Sequence, residues 1–269
     1  MRMISGVTLG EFYGDLVSLV HHHGKMVTPR GKENRELRPV TMTTYRWGAL
    51  KKASVNYRLA CAEAMAYVCG WDDVGWLAYF RPGIAQFSDD GKTFYGAYGA
   101  RMLDQLGRVI DMLREDPDSR QAVIGIWEAR DSGVKSKDLP CNTQLLLKVR
   151  DAQLNLMVIR RSSDLVWGVP YDHHCFWALA HTIANCLNIH VNALNEVIDS
   201  LHVYSPSAGF YDADRIDEAR RGEHCDVPHP WPVFRTLSLY RQHFASVRAQ
   251  VEGQEPLTDP LALWLRKVT

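Results

Sequence analysis

The sequence predicts an α+β fold, a single domain over residues 1–269 built on one main sheet. Strand-length runs rich in threonine, valine and leucine recur between long helical patterns, but never in the regular alternation that a doubly wound sheet requires. Of the 269 residues, 46% are hydrophobic, enough to bury a sizeable core. No repeat, linker or low-complexity stretch divides them.

Thr8 and Glu11 form a capping box, and Leu9, Phe12, Tyr13, Leu16, Val17 and Val20 recur at helical spacing until Gly24 stops the helix. His21-His22-His23 fits a metal patch or, more simply, a solvated helix end that favours positive charge. Residues 25–38 read as a charged, exposed arm on which Arg30 either clamps an anion or is solvated. Residues 39–46 form a strand. Ser54 caps a helix that runs to Gly70 and is apolar on nearly every face, yet carries Glu63 in its middle. Such a carboxylate must be paired, protonated or lining a cavity. Residues 71–96 read as irregular, their aromatics forming either a wall for a planar ligand or a satellite core. Tyr98-Gly99 opens an amphipathic helix that ends at Pro117. A strand follows over 120–127, then a charged loop, then strands over 143–149 and 153–160 joined by a turn at 150–152. A glycine-proline corner ends at Asp172, and a buried helix follows over 173–187. A strand over 191–204, an amphipathic helix over 233–251 and a tail from 256 complete the chain.

Lys+Arg and Asp+Glu are equal at 31 each, so no global field draws the chain to a nucleic-acid polymer or an anionic membrane. A phosphate-bearing partner must be recognised locally. The start of the chain lacks a signal peptide's apolar core, and no window reaches the roughly 18 apolar residues of a membrane span, so a cytoplasmic protein is expected. The six cysteines lack CxxC spacing, which suits reduced thiols better than disulfides or a metal site. Cys141 differs from the others in standing among loop residues.

A cysteine nucleophile needs its thiolate, and a nearby guanidinium favours that form. If the strands at 143–149 and 153–160 pair as a hairpin, Cys141 returns beside Arg161. Arg161 and Ser162 could also grip a phosphate, although arginine pairs at strand ends are usually solvated.

Taken together, these residues resemble the thymidylate synthase family. Pro140-Cys141 is followed about twenty residues on by Arg161-Ser162-x-Asp164-x-x-x-Gly168-x-Pro170-Tyr171, and about thirty further on by His202-x-Tyr204. The likeness extends upstream through Pro117-Asp118-Ser119-Arg120, Trp127, Tyr98-Gly99, Glu63 and Arg30, and covers roughly residues 8–205. It implies a mixed sheet with flanking helices, one sheet face forming a homodimer interface, and one-carbon transfer from 5,10-methylenetetrahydrofolate to C5 of a pyrimidine nucleoside monophosphate, without a metal. By resemblance, Cys141 adds to C6 of the base, Glu63 relays protons through water and Tyr98 stands nearby. Arg30, Arg161 and Ser162 hold the 5′-phosphate, and Arg120 reaches the phosphate of the neighbouring subunit. His202 and Tyr204 bind the sugar, and Asp164 faces the pterin.

The departures from the family pattern point to cytosine. Asp172 stands where synthases have asparagine; an ionised aspartate only accepts hydrogen bonds and so suits the N4 amino group of cytosine, with an N3 that gains a proton as the adduct forms. The same exchange marks the cytidylate hydroxymethylases of this family, in which water rather than hydride captures the exocyclic methylene. A similarity to the CMP hydroxymethylases of nucleoside-antibiotic pathways favours CMP over dCMP, with Lys135 or Lys137 a candidate ligand for the 2′-hydroxyl. Asn142 replaces a usual histidine, Trp167 a common leucine and Gln121 the second of an arginine pair, while His173-His174 and the tail also depart from the pattern. The alternatives are a uracil-directed synthase or hydroxymethylase, a catalytically silent nucleotide-binding relative, and an unrelated cysteine hydrolase.

Overall fold

The computed structural model describes residues 2–51, 55–209, 213–220, 223–226 and 231–266. Its elements in chain order begin with β1 (Arg2–Gly6), which the sequence did not announce, and α1 (Tyr13–His23). A single 3-10 turn at Leu9–Glu11 precedes α1, and the expected capping box does not form. Glu11 accepts from the Val7 N–H at 2.8 Å, while the buried Thr8 hydroxyl caps nothing. The 25–38 arm is largely strand, with β2 (Lys25–Val27) paired antiparallel to β3 (Asn34–Leu37). After β4 (Val40–Thr44) and β5 (Ala49–Lys51) comes α2 (Tyr57–Cys69). Its cap is Asn56, whose side chain accepts from the Leu59 N–H, and Gly70 closes it in the left-handed conformation; Ser54 lies outside the described residues.

The 71–96 stretch contains a helix, α3 (Val74–Phe80), capped by Asp73. Next come α4 (Tyr98–Glu115) and β6 (Val123–Gly125), a strand much shorter than expected because Arg120 and Gln121 remain outside the ladder. β7 (Asn142–Arg150) and β8 (Gln153–Asp164) absorb the whole polar cluster at 160–164 into a strand. The glycine-proline corner is the first turn of α5 (Gly168–Leu187), so Asp172 is a helical residue. The chain continues through β9 (His190–Tyr204), α6 (Ala213–Arg220), β10 (Glu223–Cys225), α7 (Leu237–Val251) and α8 (Pro260–Arg266), the last placing a helix in the expected tail.

The main sheet is mixed, in the order β1-β4-β9-β8-β7-β6, with β3 also pairing with β9 and β2 with β3. β8 runs parallel to β9, and β7 runs antiparallel to β8. Alternation along the strands defines two faces. On the inner face Met42, Glu196, Val158, Leu145 and Ile124 lie in one cross-strand row, and Val40, Ile198, Arg160 and Asn142 in the next. Against this face the fully buried Phe176 and Trp177 of α5 pack with Leu156 and Val158. Removing a side chain such as Phe176 costs about 3–5 kcal/mol. A second cluster gathers Tyr13, Leu16 and Val20 of α1 with Val40, Ile198 and Leu201, and Leu77 and Phe80 pack against both clusters. The outer face carries Val197 and Ile159, then Asn195, Met157 and Leu146, all only half-buried.

Among the described residues no helix is long and apolar enough to cross a membrane.

Candidate active site

A two-residue turn, with Asp151 at φ 52° and Ala152 at φ 54°, closes the β7–β8 hairpin. Both residues are left-handed, matching the primed turn that suits strand twist. From there the ladder runs to Gln144–Ile159, a bulge between Asn142 and Gln144 shifts it to the Asn142–Arg160 pair, and beyond it the Arg161 N–H donates to the Cys141 carbonyl at 2.9 Å. The hairpin and its bulge therefore place Cys141 beside Arg161, where the sequence anticipates it. The guanidinium donates to the Pro140 and Leu139 carbonyls at 2.9 and 3.0 Å, and its Nη2 lies 3.7 Å from Cys141 Sγ. Ser162 Oγ lies at the same distance from the sulfur. The Cys141 N–H donates to Tyr98 Oη at 3.3 Å. The expectation of a lowered thiol needs correction. Burial pushes the Cys141 thiol up and outweighs the pull of Arg161 and of the Ser162 hydrogen bond, with Asp172 and Asp138 acting in the same sense as burial.

A cavity of about 250 Å³ lies next to this hairpin, lined by Glu63, Trp71, Arg81, Tyr98, Asp138 and Asp172 among others. Glu63 enters it from α2. Burial, then the Asp172 charge, push its carboxyl up to about 8 against the opposing pull of Arg81. Tyr98 opens α4, which crosses α2 so closely that a Cβ on Gly99 would meet the Ala66 carbonyl at 2.1 Å. A larger residue there would force the helices apart. Arg81 stacks over the Trp167 ring at 3.8 Å. With Trp71, Phe87 and Trp167 on its walls, the cavity fits a planar bicyclic ring.

Asp172 receives three donors. Tyr67 Oη donates at 3.2 Å, Asn142 Nδ2 at 3.4 Å and Arg160 Nη1 at 3.3 Å. Arg160 is fully buried; its Nη1 also donates to Ser163 Oγ at 3.1 Å, and its Nη2 pairs with Glu196. Glu196 in turn meets His173 Nδ1 at 2.7 Å. Burial pushes the Asp172 carboxyl up, Arg160 being the first force against it. Sequence reasoning missed Arg160, Tyr67 and Asn142 as partners of Asp172, and Glu196 as the partner of Arg160. The available signal was alternation: if Arg161 faces outward, Arg160 faces the core.

Of the other predicted residues, Arg30 and Asp164 gather with Cys141 near Tyr204, and Arg120 stands apart. Arg30 sits in the left-handed conformation, φ 52° and ψ 33°, uncommon outside glycine, and its charge acts on Tyr204. His202 packs edge-on against Tyr204 with ring centroids 5.0 Å apart. Asp164 accepts from the Val166 and Trp167 N–H groups at 2.5 and 2.8 Å, so it shapes the entry to α5 and does not line the cavity. Arg120 is exposed in a separate concavity with Asp116, Asp118 and Gln121, away from Cys141. Lys137 Nζ donates to the Ser88 carbonyl at 3.2 Å. His174 is buried, takes the Trp47 Nε1–H on Nδ1 at 3.3 Å, and is pushed down by burial to about 3. Among the described residues no His, Cys, Asp or Glu cluster could hold a metal.

The family model for thymidylate synthase matches residues 13–268. The chain belongs to the thymidylate synthase family. Its fold is the thymidylate synthase fold, mixed α+β with one main mixed sheet, and the family's one-carbon donor is 5,10-methylenetetrahydrofolate. The chain is similar to the deoxyuridylate hydroxymethyltransferase of Bacillus phage SP01, 34% identical over 235 residues, which cover 78% of this chain and 60% of that relative. The corresponding enzyme of Pseudomonas phage M6 is 34% identical over 150 residues, 53% of this chain and 43% of the relative. A thymidylate synthase of Haloferax volcanii is 31% identical over 149 residues, again 53% and 43%. The chain thus spans less than two thirds of the length of each of these relatives.

Proposed function

We propose that this protein catalyses folate-dependent 5-hydroxymethylation of a cytidine monophosphate, CMP ahead of dCMP, giving the 5-hydroxymethyl nucleotide and tetrahydrofolate. The observation that carries the reading is the set of three donors around Asp172, one of them a fixed guanidinium. These donors pull towards the ionised, acceptor-only form against the burial that raises this carboxyl, and that form matches the N4 amino group and a protonated N3 of cytosine. It mismatches O4 of uracil.

In this reading Cys141 adds to C6 as its thiolate, with the proton leaving the sulfur while Arg161 and Ser162 stand 3.7 Å away. Asp172 stabilises the proton on N3 as charge builds in the ring. Methylenetetrahydrofolate supplies the one-carbon unit to C5. Glu63, neutral at pH 7, passes protons through water at the C5 end, and Tyr98 ties its helix to the Cys141 backbone. Arg30, Arg161 and Ser162 take the 5′-phosphate, and His202 and Tyr204 the sugar. The carbon balance closes when water adds to the exocyclic methylene, as the hydroxymethyltransferase names of two relatives also suggest. Arg120, remote from Cys141 within one chain, serves the partner's phosphate in a homodimer built on the half-buried outer face. The packing shared by both core clusters supports reading residues 1–269 as one domain.

A dUMP hydroxymethylase is the second reading, favoured by those same relatives' names; it requires a protonated Asp172. Mass analysis of the product formed from CMP, dCMP or dUMP with methylenetetrahydrofolate separates the readings. Gain of CH2O on CMP is the expected result, and turnover of dUMP alone overturns the cytosine assignment.

A further inference from the structure

Arg160 touches no part of the cavity, yet it is the cation in hydrogen-bond contact with Asp172, one of the cavity's lining carboxylates. Its side chain has no solvent exposure, and Glu196 behind it is 1% exposed. Among the described residues its Nε–H has no partner, so the group is held by its two terminal nitrogens alone. We infer that Arg160 is a positioning residue for base choice: held from behind by Glu196, its guanidinium fixes the charge on Asp172 and thereby decides between cytosine and uracil. The inference rests on Asp172 being the base reader.

The chemistry follows from one proton. An ionised Asp172 meets the N4–H donor of cytosine but sets a lone pair against O4 of uracil. A protonated Asp172 donates O–H to O4 and accepts from N3–H, so it takes uracil as an amide would. Base choice is then the protonation state of one carboxyl.

The groups around that carboxyl divide by sign. From the sheet come Arg160 on β8, Glu196 on β9, and Cys141 and Asn142 at the start of β7. From the helices come Glu63 and Tyr67 on α2, Tyr98 on α4 and Cys175 on α5 itself. His173 stands behind Glu196, and Arg81 reaches Glu63 rather than Asp172. Burial and the carboxylates favour the proton on Asp172; Arg160 opposes them, aided by the Asn142 and Tyr67 donors. Glu196 has two effects of one sign: it competes for the Arg160 charge and it repels the Asp172 anion.

This predicts opposite outcomes for two variants. The measurement is the ratio of uracil to cytosine turnover, UMP against CMP with methylenetetrahydrofolate, from about pH 5 to about pH 9, which should rise as pH falls through the Asp172 titration. In Arg160→Gln/Glu196→Gln, a neutral pair that leaves no charge stranded in the core, the midpoint should move up by about one to three pH units. In Glu196→Gln alone, Arg160 is left to Asp172 and the midpoint should move down. Arg160→Lys, which keeps the charge, should stay near the wild type and serves if the double variant does not fold. A purely structural contribution moves both glutamine variants the same way. That outcome, no movement in either, or a lysine variant that behaves like the loss of charge, overturns the inference. Wild-type protein that turns over uracil nucleotides alone overturns instead the cytosine assignment of the proposed function, a result visible before any variant is made.

Discussion

Asp172 shares its cavity with Glu63, and its charge adds to burial in pushing the Glu63 carboxyl up to about 8. The fold therefore binds this proton more tightly than the unfolded chain does. The associated stability is fully present below about pH 4.5 and is lost as pH rises through about 8. Glu63→Gln should stabilise the protein by about 2 kcal/mol at pH 7 and have little effect at pH 4, measured by urea unfolding. The same variant should lower kcat by about 10²–10⁴ and remove an alkaline limb near pH 8, since the relay needs the protonated form. An alkaline limb that persists in the glutamine variant belongs to another group.

Arg161 opposes the burial that raises the Cys141 thiol. Arg161→Met should slow site-specific alkylation of Cys141 by about tenfold or more at neutral pH, read by mass spectrometry of the labelled peptide. Cys141→Ser should abolish release of tritium from C5 of labelled CMP. Continued exchange in the serine variant would locate the nucleophile elsewhere.

Replacing Asp172 by asparagine exchanges an acceptor for a mixed donor and acceptor while leaving Arg160 its partner Glu196. The variant should fold and shift kcat/KM towards uracil nucleotides by about 1–3 kcal/mol, roughly tenfold to a hundredfold. Competition between CMP and UMP in one reaction measures it. An unchanged preference removes Asp172 as the reader.

Met157 and Ile159 stand on the half-buried outer face of the sheet. If the proposed homodimer uses this face, lysine at both positions should give a monomer in sedimentation velocity, because the interface cannot bury four unpaired ammonium groups, two from each subunit. Nucleotide KM should rise with it if Arg120 serves a neighbouring phosphate as proposed. A dimer that survives both substitutions uses another surface.

Much of this arrangement was legible because local chemistry fixed it. The turn at 150–152 brings Cys141 back to the Arg161-Ser162 end of β8, although the bulge that sets it opposite Arg161 was not legible, and the lone Glu63 on an apolar helix marks a cavity. Other features depended on distant partners. Arg160 reads as a solvated strand-end arginine until Glu196, 36 residues away, pairs with it across the parallel β8–β9 ladder. α3 hid among aromatics because seven residues are too few to display a helical period. Asp172 looked like a corner residue because Gly168 and Pro170 are turn formers, and both are also tolerated in a helix's first turn. Arg120 was assigned to a strand by composition, yet it falls just before the short β6 ladder.

The alternation along β8 gives residues 160 and 161 separate duties. Two consecutive arginines, identical in chemistry, are sorted by the pleat: one is sealed behind Asp172, and the other stands at the Cys141 sulfur. A register slip of a single residue would exchange them, sending the outward charge into the core. The Asp151–Ala152 turn and the bulge between Asn142 and Gln144 together therefore decide which guanidinium meets Asp172 and which meets Cys141.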